Sequence, residues 1–290
     1  MHHLKFAEFY ITNVCDLTCE NCNRFNNFQR TGRIDWDESQ YVDFAKQFNI
    51  DRISIIGGEP LNHPGINDYI VGISKLWPDT GLHVTSNGLA INRRKRLYET
   101  CVENNVTLEI SLHDVDSVDK VVMAEVNKFT QQNGSDWNLH SETINHIDRD
   151  GVPFTTTADY MIDLNGFKIE FTPAYIFGST SIKEFVGLIP LPHNSDPEDA
   201  YHQCGLRNSH TFHDGNLYKC GFIAAGKEFV KSRGAEEHWK KLFDYVPLTM
   251  QQYKSDWEKG FFSAEDVCSL CPVDIKYSKC ITSIKGKKGK

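Results

Sequence analysis

The first half of the chain alternates between apolar blocks typical of strands and amphipathic blocks typical of helices. β-branched and aromatic residues dominate residues 6–14, 52–56, 82–85 and 106–112, and each block has the length of a buried strand. Apolar residues at helical spacing follow over residues 35–48, 66–76, 92–104 and 119–132. Four strand–helix units in succession predict an α/β protein whose parallel sheet forms a full or partial barrel.

The pattern weakens after residue 134 and changes near residue 177. Residues 154–160 and 167–174 are predicted as the fifth and sixth strands. Segment 136–159, rich in His, Thr and Asp, is interpreted as an insertion over the barrel mouth or as an ordinary long loop. Proline-containing loops and five of the nine cysteines follow. We therefore predict two domains, residues 1–176 and 177–290.

The nine cysteines are the strongest chemical signal in the chain. Their number is odd and the first twenty residues lack an export signal, so a disulfide framework is disfavoured and a cytoplasmic location is expected. Three of the cysteines form a closely spaced triplet. Thiolates hold iron–sulfur clusters and structural zinc, and three thiolate ligands leave one corner of a four-iron cluster open. Cys101 lies within a predicted helix and is expected to pack in the core. The triplet consists of Cys15, Cys19 and Cys22.

Polar motifs coincide with the ends of the predicted strands. Gly57-Gly58-Glu59-Pro60 follows the second strand, Ser86-Asn87-Gly88 the third, and Ser111 to His113 closes the fourth. Chemistry in strand–helix barrels collects at these carboxyl ends. Each motif alone is typical of a turn or loop, and their joint occurrence indicates a site. His113 is a candidate substrate contact or proton acceptor, with a purely structural role as the alternative.

These motifs together resemble the radical S-adenosylmethionine (SAM) superfamily over about residues 6–175. The resemblance implies a partial (β/α)6 barrel in which the cysteine triplet holds a 4Fe-4S cluster and SAM occupies the fourth iron. It further implies that the SAM amino group contacts Gly57, Gly58, Glu59 and Pro60, and that the carboxylate or ribose contacts Ser86, Asn87 and Ser111. The family places an aromatic residue just before the third cysteine, against the adenine. This chain has Asn21 there, and Phe25 is the candidate substitute.

The cysteines of the second half resemble a twitch domain, half of the SPASM-type extension of the same superfamily. That resemblance implies one auxiliary 4Fe-4S cluster, with structural zinc as the alternative. Cys280 is left as a replacement ligand, a hydrogen-atom donor or a packed residue. The four implied ligands are Cys204, Cys220, Cys268 and Cys271.

The function implied by the resemblance is hydrogen abstraction by a 5'-deoxyadenosyl radical, supported by an external electron donor of flavodoxin or ferredoxin type. The first expected substrate is a peptide or protein side chain, which would be oxidised, cross-linked or epimerised. A dehydrogenase of a small polyol, aminosugar or nucleoside is the second hypothesis. A non-catalytic zinc or iron–sulfur binding protein is the third.

Composition and charge limit the classes of partner that the protein is expected to bind. The 290 residues are 40% hydrophobic and carry a net charge of −8, which disfavours a protein whose whole surface binds nucleic acid. The chain contains no run of 18 apolar residues, so the sequence predicts no membrane span. Residues 276–290 contain six lysines and no acidic residue. We interpret this basic tail as solvated, with contact to an acidic partner as the alternative.

Overall fold

A computed structural model describes residues 1–20, 22–26, 31–113, 115–134, 136–147, 153–174, 176–178, 181–250, 260–279 and 281–285. Asn21 and Cys280, both named above, lie outside the described residues, as does Lys290 of the basic tail. The same holds for the lysines at 287 and 288.

The strands are β1 (His2–Tyr10), β2 (Leu17–Cys19), β3 (Phe48–Ile56), β4 (Gly81–Ser86), β5 (Thr107–Leu112), β6 (Asn138–Ile147), β7 (Pro153–Ile162), β8 (Lys168–Pro173), β9 (Ile176–Gly178), β10 (Ile182–Val186), β11 (Ile189–Pro192), β12 (His210–His213), β13 (Asn216–Tyr218), β14 (Tyr277–Lys279) and β15 (Thr282–Ile284). The α-helices are α1 (Val42–Gln47), α2 (Ile66–Leu76), α3 (Leu97–Glu103), α4 (Asp116–Gln132), α5 (Pro197–Gln203), α6 (Gly221–Ser232) and α7 (Lys240–Asp244). Short 3-10 helices cover Glu38–Gln40, Pro60–Asn62, Ile91–Arg93, Glu236–Trp239 and Asp266–Leu270.

One nine-stranded sheet forms the centre of the fold, in the order β13-β12-β1-β3-β4-β5-β8-β7-β6. The six strands from β12 to β8 in this order run parallel to their neighbours. This arrangement confirms the predicted α/β fold with a parallel sheet. Three smaller two-stranded sheets pair β10 with β11, β14 with β9, and β15 with β2.

The two faces of the parallel sheet have opposite character because side chains alternate along each strand. One face, with Ile53, Val84 and Ile110, packs against helices such as α2 in the main hydrophobic core. The opposite face carries polar side chains, including Glu8, Ser54, Thr85, Glu109 and Glu170. The sheet therefore presents a polar wall away from the helices.

Several predicted elements differ from those observed. The first strand begins and ends four residues earlier than predicted. The described residues of segment 136–159 lie mainly in the antiparallel strands β6 and β7 rather than in a loop. The sixth parallel strand is β12, which pairs with β1 from beyond the predicted boundary at residue 176. The edge of the sheet therefore does not coincide with that boundary.

Two predicted helices are shorter than expected because local turns interrupt them. α1 begins at Val42 rather than near residue 35, because a 3-10 turn precedes it, in which the Asp37 side chain caps the amide of Ser39. α3 begins at Leu97, because the preceding residue Arg96 adopts a left-handed conformation with φ of 57°. Neither difference moves the strand ends that carry the polar motifs.

A second, smaller hydrophobic core joins α6 and α7 to the 3-10 helix at Asp266–Leu270. Trp239 is fully buried there and donates a hydrogen bond to the carbonyl of Pro190 at 2.8 Å. Phe25, from the N-terminal half, also packs in this core. In the described residues, no helix is both long and apolar enough to cross a membrane.

Candidate active site

A cavity of about 250 Å³ lies at the carboxyl ends of the parallel strands. We call it the strand-end cavity. It is lined by nine of the residues predicted from sequence, namely Cys15, Cys19, Cys22, Gly57, Gly58, Ser86, Asn87, Ser111 and His113. Glu59 and Pro60 are buried immediately behind this lining. Motifs up to about 100 positions apart therefore meet at one place.

The glycine pair packs directly against the loop that carries the three cysteines, which we call the cysteine loop (residues 11–26). The amide of Gly58 donates to the carbonyl of Thr12, and the amide of Glu59 donates to the carbonyl of Val14, both at 2.7 Å. A Cβ atom at Gly58 would lie 2.4 Å from the Val14 carbonyl oxygen, which is too close for any side chain. Glycine is thus required here for the approach of two backbone segments.

The carboxylate of Glu59 organises the next strand end rather than opening into the cavity. It accepts hydrogen bonds from the Leu61 amide (2.9 Å), the Ser86 hydroxyl (2.7 Å) and the Asn87 amide (2.7 Å). Burial raises the pKa of Glu59 to about 7, against the lowering effect of these hydrogen bonds. Glu59 therefore ties the glycine turn to the Ser86-Asn87-Gly88 turn.

Ser86 and Asn87 both have partners within the protein. The Ser86 hydroxyl also accepts from the amide of Gly88 at 2.9 Å, so it bridges two neighbours. The Asn87 side-chain amide lies 3.9 Å from the sulfur of Cys15. Burial raises the pKa of the Cys15 thiol well above its ordinary value, with Glu59 contributing in the same direction. A bound metal would offset that effect because it favours the thiolate.

Glu8 and Arg24 form a buried ion pair in the wall of the cavity. The Arg24 guanidinium donates to the Glu8 carboxylate, which also accepts from the Thr211 hydroxyl at 2.9 Å. The Arg24 side chain is only 7% exposed and the Glu8 side chain 12%, so this ion pair is strongly shielded from solvent. This ion pair was not predicted from the sequence. The available signal was a charged residue, Glu8, between the apolar residues of a buried strand.

His113 lies at the end of β5 and is 4% exposed. Its backbone amide donates to Asp119 at 3.0 Å. Its Nδ1 atom is buried and has no hydrogen-bond partner among the residues that the structure describes. Burial lowers the pKa of His113, while Asp119 and a hydrogen bond of the ring with the Ser111 backbone act in the opposite direction. The ring is therefore neutral at physiological pH and able to accept a hydrogen bond or a proton.

The other four candidate cysteines line a separate cavity of about 30 Å³, which we call the four-cysteine cavity. Its remaining wall is mainly apolar and includes Phe222, Ile223 and Val267. Within the described part of the chain, no three His, Cys, Asp or Glu side chains form a group that could hold a single metal ion. Burial raises the pKa of all four thiols, and that of Cys220 to about 12. The four are Cys204, Cys220, Cys268 and Cys271.

A buried lysine stands beside the four-cysteine cavity. The Lys219 ammonium donates to the carbonyls of Phe261 (3.1 Å) and Ser263 (2.6 Å), and lies 3.2 Å from Glu265. Its charge lowers the pKa of Cys204 and of Cys268, opposing the larger effect of burial. Lys219 was also not predicted from the sequence, because its position next to Cys220 does not by itself indicate that the lysine is buried.

Three predictions about individual residues can be compared with the structure. Phe25 stacks on Phe229 at 4.4 Å in the second core and is not among the residues that line the strand-end cavity, which disfavours its predicted position against the adenine. The reason is its left-handed backbone, with φ of 58°, which directs the side chain towards α6. Cys101 is fully buried in the main core, as predicted. Lys285 donates to the carbonyl of Asn26 at 2.8 Å, so this lysine of the tail is not simply solvated.

The fold and the cavity define a class of protein. A parallel α/β sheet brings a cysteine triplet and two turns to the ends of neighbouring strands, around a cavity with a charged wall. This arrangement is typical of a cofactor-dependent site rather than of a structural metal site. The model of the Radical SAM superfamily matches residues 9–170, more than half of the chain, and the chain belongs to that superfamily.

Individual relatives are distant. The chain is 22% identical over 129 residues to GTP 3',8-cyclase of Aquifex aeolicus (strain VF5), a match that covers 43% of this chain and 40% of that protein. It is similar to Streptococcus suis SuiB bound to S-adenosylmethionine, with 21% identity, a TM-score of 0.30 and coverage of 41% and 27%. It is also similar to BtrN in complex with AdoMet and 2-DOIA, with 14% identity, a TM-score of 0.43 and 92% of both chains covered. The chain thus spans less than half of the curated relative.

SAM and a 4Fe-4S cluster are the cofactors of this superfamily, and the strand-end cavity fits them. Three thiols face the same cavity, and the glycine turn offers a surface without side chains next to them. A Cβ atom at Gly57 would lie 2.7 Å from the Thr12 carbonyl oxygen, so glycine is needed for the turn to pack this closely against the cysteine loop. Three thiols suit such a cluster, because cysteine thiolates are the soft ligands that hold iron–sulfur clusters.

Proposed function

We propose that the protein is a radical SAM enzyme that oxidises a carbon bearing a hydroxyl or amino group in a polar substrate. The observation that carries this proposal is the strand-end cavity, where the cysteine triplet meets a buried ion pair and a neutral histidine. When bound, the cluster and SAM supply a 5'-deoxyadenosyl radical that removes a hydrogen atom from an unactivated C–H bond. The protein holds these groups and positions the substrate.

The residues predicted from sequence at the cavity have distinct proposed roles. Cys15, Cys19 and Cys22 hold the cluster. The backbone of Gly57 and Gly58, shaped by Pro60, receives the amino group of SAM.

Asn87 and Ser111 contact the carboxylate or ribose of SAM. Glu59 and Ser86 keep the two turns in register through the hydrogen bonds described above. A flavodoxin- or ferredoxin-type protein is the proposed electron donor.

His113 is the proposed proton acceptor. Loss of a hydrogen atom from a carbinol carbon leaves a radical, and the conversion of that radical to a carbonyl releases one proton and one electron. The neutral Nδ1 atom of His113 accepts the proton, because it is buried, lines the cavity and has no partner among the described residues. The remaining electron requires an acceptor elsewhere in the protein.

The four-cysteine cavity is the proposed site of that acceptor, an auxiliary 4Fe-4S cluster. Four thiols around an apolar cavity suit a fully ligated cluster, which has no vacant iron and therefore transfers an electron rather than binding substrate. Structural zinc is the competing assignment for the same donors. Metal analysis of anaerobically purified protein separates them: about eight irons per chain support two clusters, and about four irons with one zinc support the alternative.

Buried charge favours a small polar molecule as the substrate. Glu8 and Arg24 in the cavity wall can bind hydroxyl or amino groups, which is how a pocket recognises a polyol, aminosugar or nucleoside. A peptide or protein side chain with a polar group, oxidised, cross-linked or epimerised, is the second proposal. Deuterium transfer into 5'-deoxyadenosine from labelled candidates of both classes identifies the donor. If a labelled peptide transfers deuterium and the small molecules do not, the peptide or protein side chain becomes the first proposal for the substrate.

Paired variants test the division of labour between the two cavities. Cys19→Ala is expected to abolish SAM cleavage while the four-cysteine cavity keeps its metal. Cys268→Ala is expected to retain SAM cleavage and to lose product formation. Iron content and 5'-deoxyadenosine yield are measured for both variants. Equal loss of SAM cleavage in the two would contradict separate roles, and SAM cleavage by Cys19→Ala would overturn the ligand assignment.

A pH profile tests His113. Because burial lowers its pKa, the neutral form persists below the ordinary value of 6.5, and product formation should continue at more acidic pH than for an exposed histidine. His113→Gln is expected to lower product formation by about 10²-fold or more, while SAM cleavage continues. Unchanged product formation across the pH range would show that the role is structural.

A further inference from the structure

We infer that the C-terminal strand β15 is a built-in part of the cluster site, and that Thr282 is a positioning residue that tunes the cluster through the sulfur of Cys19. This inference rests on the ligand set proposed above, of which Cys19 is the second member. It assigns a role to a short segment in the basic tail that the sequence pattern did not distinguish.

β15 pairs along the cysteine loop itself. It runs antiparallel to β2, with Thr282 opposite Cys19, Ser283 opposite Thr18 and Ile284 opposite Leu17. Two further backbone hydrogen bonds bracket this ladder, from the Glu20 amide to the Ile281 carbonyl (2.8 Å) and from the Lys285 amide to the Asp16 carbonyl (2.7 Å). The segment between Cys15 and Cys22 is therefore held along most of its length by the far end of the chain.

The Thr282 hydroxyl lies 3.1 Å from the sulfur of Cys19. As an iron ligand that sulfur is a thiolate and has no proton, so the hydroxyl is the donor. Thr282 is only 6% exposed, and a hydrogen bond shielded from water is electrostatically stronger than an exposed one. The structure thus supplies an oriented donor directly to a proposed cluster ligand.

A hydrogen bond to a ligand sulfur stabilises the more negative state of a cluster. Reduction adds one electron, so the reduced form gains more from the Thr282 donor than the oxidised form does, and the reduction potential is higher than it would be without the hydrogen bond. Thr282 therefore makes it easier for an external donor to reduce the cluster. The effect acts through Cys19 and requires no contact with SAM or substrate.

The test uses the full-length protein carrying its clusters, with Thr282→Val as the main variant, since valine keeps the shape and removes the hydroxyl. The reduction midpoint of the cluster whose EPR signal changes on SAM addition is expected to shift to a more negative value. Thr282→Ser is expected to restore it, because serine keeps the donor. Ser283→Ala is the matched control, because Ser283 follows Thr282 in β15: the variant removes the 2.7 Å contact with the Thr18 hydroxyl of β2 and leaves the sulfur contact intact.

A midpoint in Thr282→Val equal to that of the unmodified protein would overturn the inference. An equal shift in Ser283→Ala would do the same, because it would attribute the effect to loosening of the strand. The unmodified protein gives a second measurement that does not depend on any variant folding: hyperfine spectra of the reduced cluster should show an exchangeable proton that disappears in D2O. No such proton would also refute the role of Thr282, whereas the absence of any SAM-responsive signal would instead refute the ligand set.

Discussion

Gly58→Ala probes the contact on which the cluster site depends. The added Cβ atom would lie 2.4 Å from the carbonyl oxygen and 2.7 Å from the carbonyl carbon of Val14, and 2.9 Å from the Cβ atom of Cys15. Ordinary contacts begin at 3.4 Å, so the two segments must separate by about 1 Å. Because the obstructing atoms are backbone, no rotamer change relieves the overlap.

The cost follows from the interactions that such a separation breaks. Overpacking of this kind costs about 1–3 kcal/mol. The two 2.7 Å backbone hydrogen bonds between the glycine turn and the cysteine loop contribute about 1 kcal/mol each, and both lengthen when the segments move apart. The expected loss of unfolding free energy is therefore about 3–5 kcal/mol, or a fall in Tm of roughly 6–10 °C for a chain of this size. Displacement of Cys15 should also release the iron held at the strand-end cavity.

Thermal unfolding and iron content of anaerobically prepared protein measure both effects. Gly81→Ala is the matched control, because its nearest neighbour would be 3.5 Å from the new Cβ atom and its φ is not in the left-handed region. That control should keep its iron and change Tm by less than about 2 °C. Gly58→Ala with normal iron and an unchanged Tm would refute the argument that this glycine is required for backbone approach.

Three further variants test the packing around the cavity. Glu8→Gln leaves the buried Arg24 without its counter-charge and is expected to cost about 3–5 kcal/mol in urea unfolding; a loss below 1 kcal/mol would mean that the ion pair contributes little. Gly221→Ala places a Cβ atom 0.8 Å from the Arg24 guanidinium and should disrupt the same ion pair. The double variant of Glu8→Gln and Gly221→Ala should therefore lose less unfolding free energy than the sum of the two single variants, and additive losses would contradict this. Phe25→Leu should cost about 1 kcal/mol and leave the Kd for SAM within twofold by calorimetry, whereas tenfold weaker binding would restore Phe25 to the adenine site.

Sequence reasoning located most of the strand-end cavity because parallel strands share an edge. Once the strands ending near Cys15, Gly57 and Ser86 are recognised, their carboxyl ends must lie side by side, and the residues that follow them must meet. This inference does not require the exact strand limits. The first strand was displaced by four residues, and the cysteine triplet still reached the cavity.

Features that depend on distant pairing were not predictable in the same way. β12 has four residues and β15 has three, too few for periodicity to distinguish a strand from a loop. Both join partners in the first 20 residues, across more than 200 positions of chain. The direction of the Phe25 side chain depends on a single left-handed residue, which only glycine or asparagine would have signalled from sequence.

The cysteine loop is held from opposite ends of the chain, and this constrains how the site assembles. The glycine turn after β3 fixes the carbonyls of Thr12 and Val14, while β15 fixes the stretch from residue 16 to residue 20. Neither contact can form before its own segment is in position, and the second closes a loop of more than 250 residues. Its entropic cost must be met by sheet and core formed earlier. We therefore expect the three thiols to reach their common cavity only after the sheet and core have formed, so that iron enters a protein that is already folded.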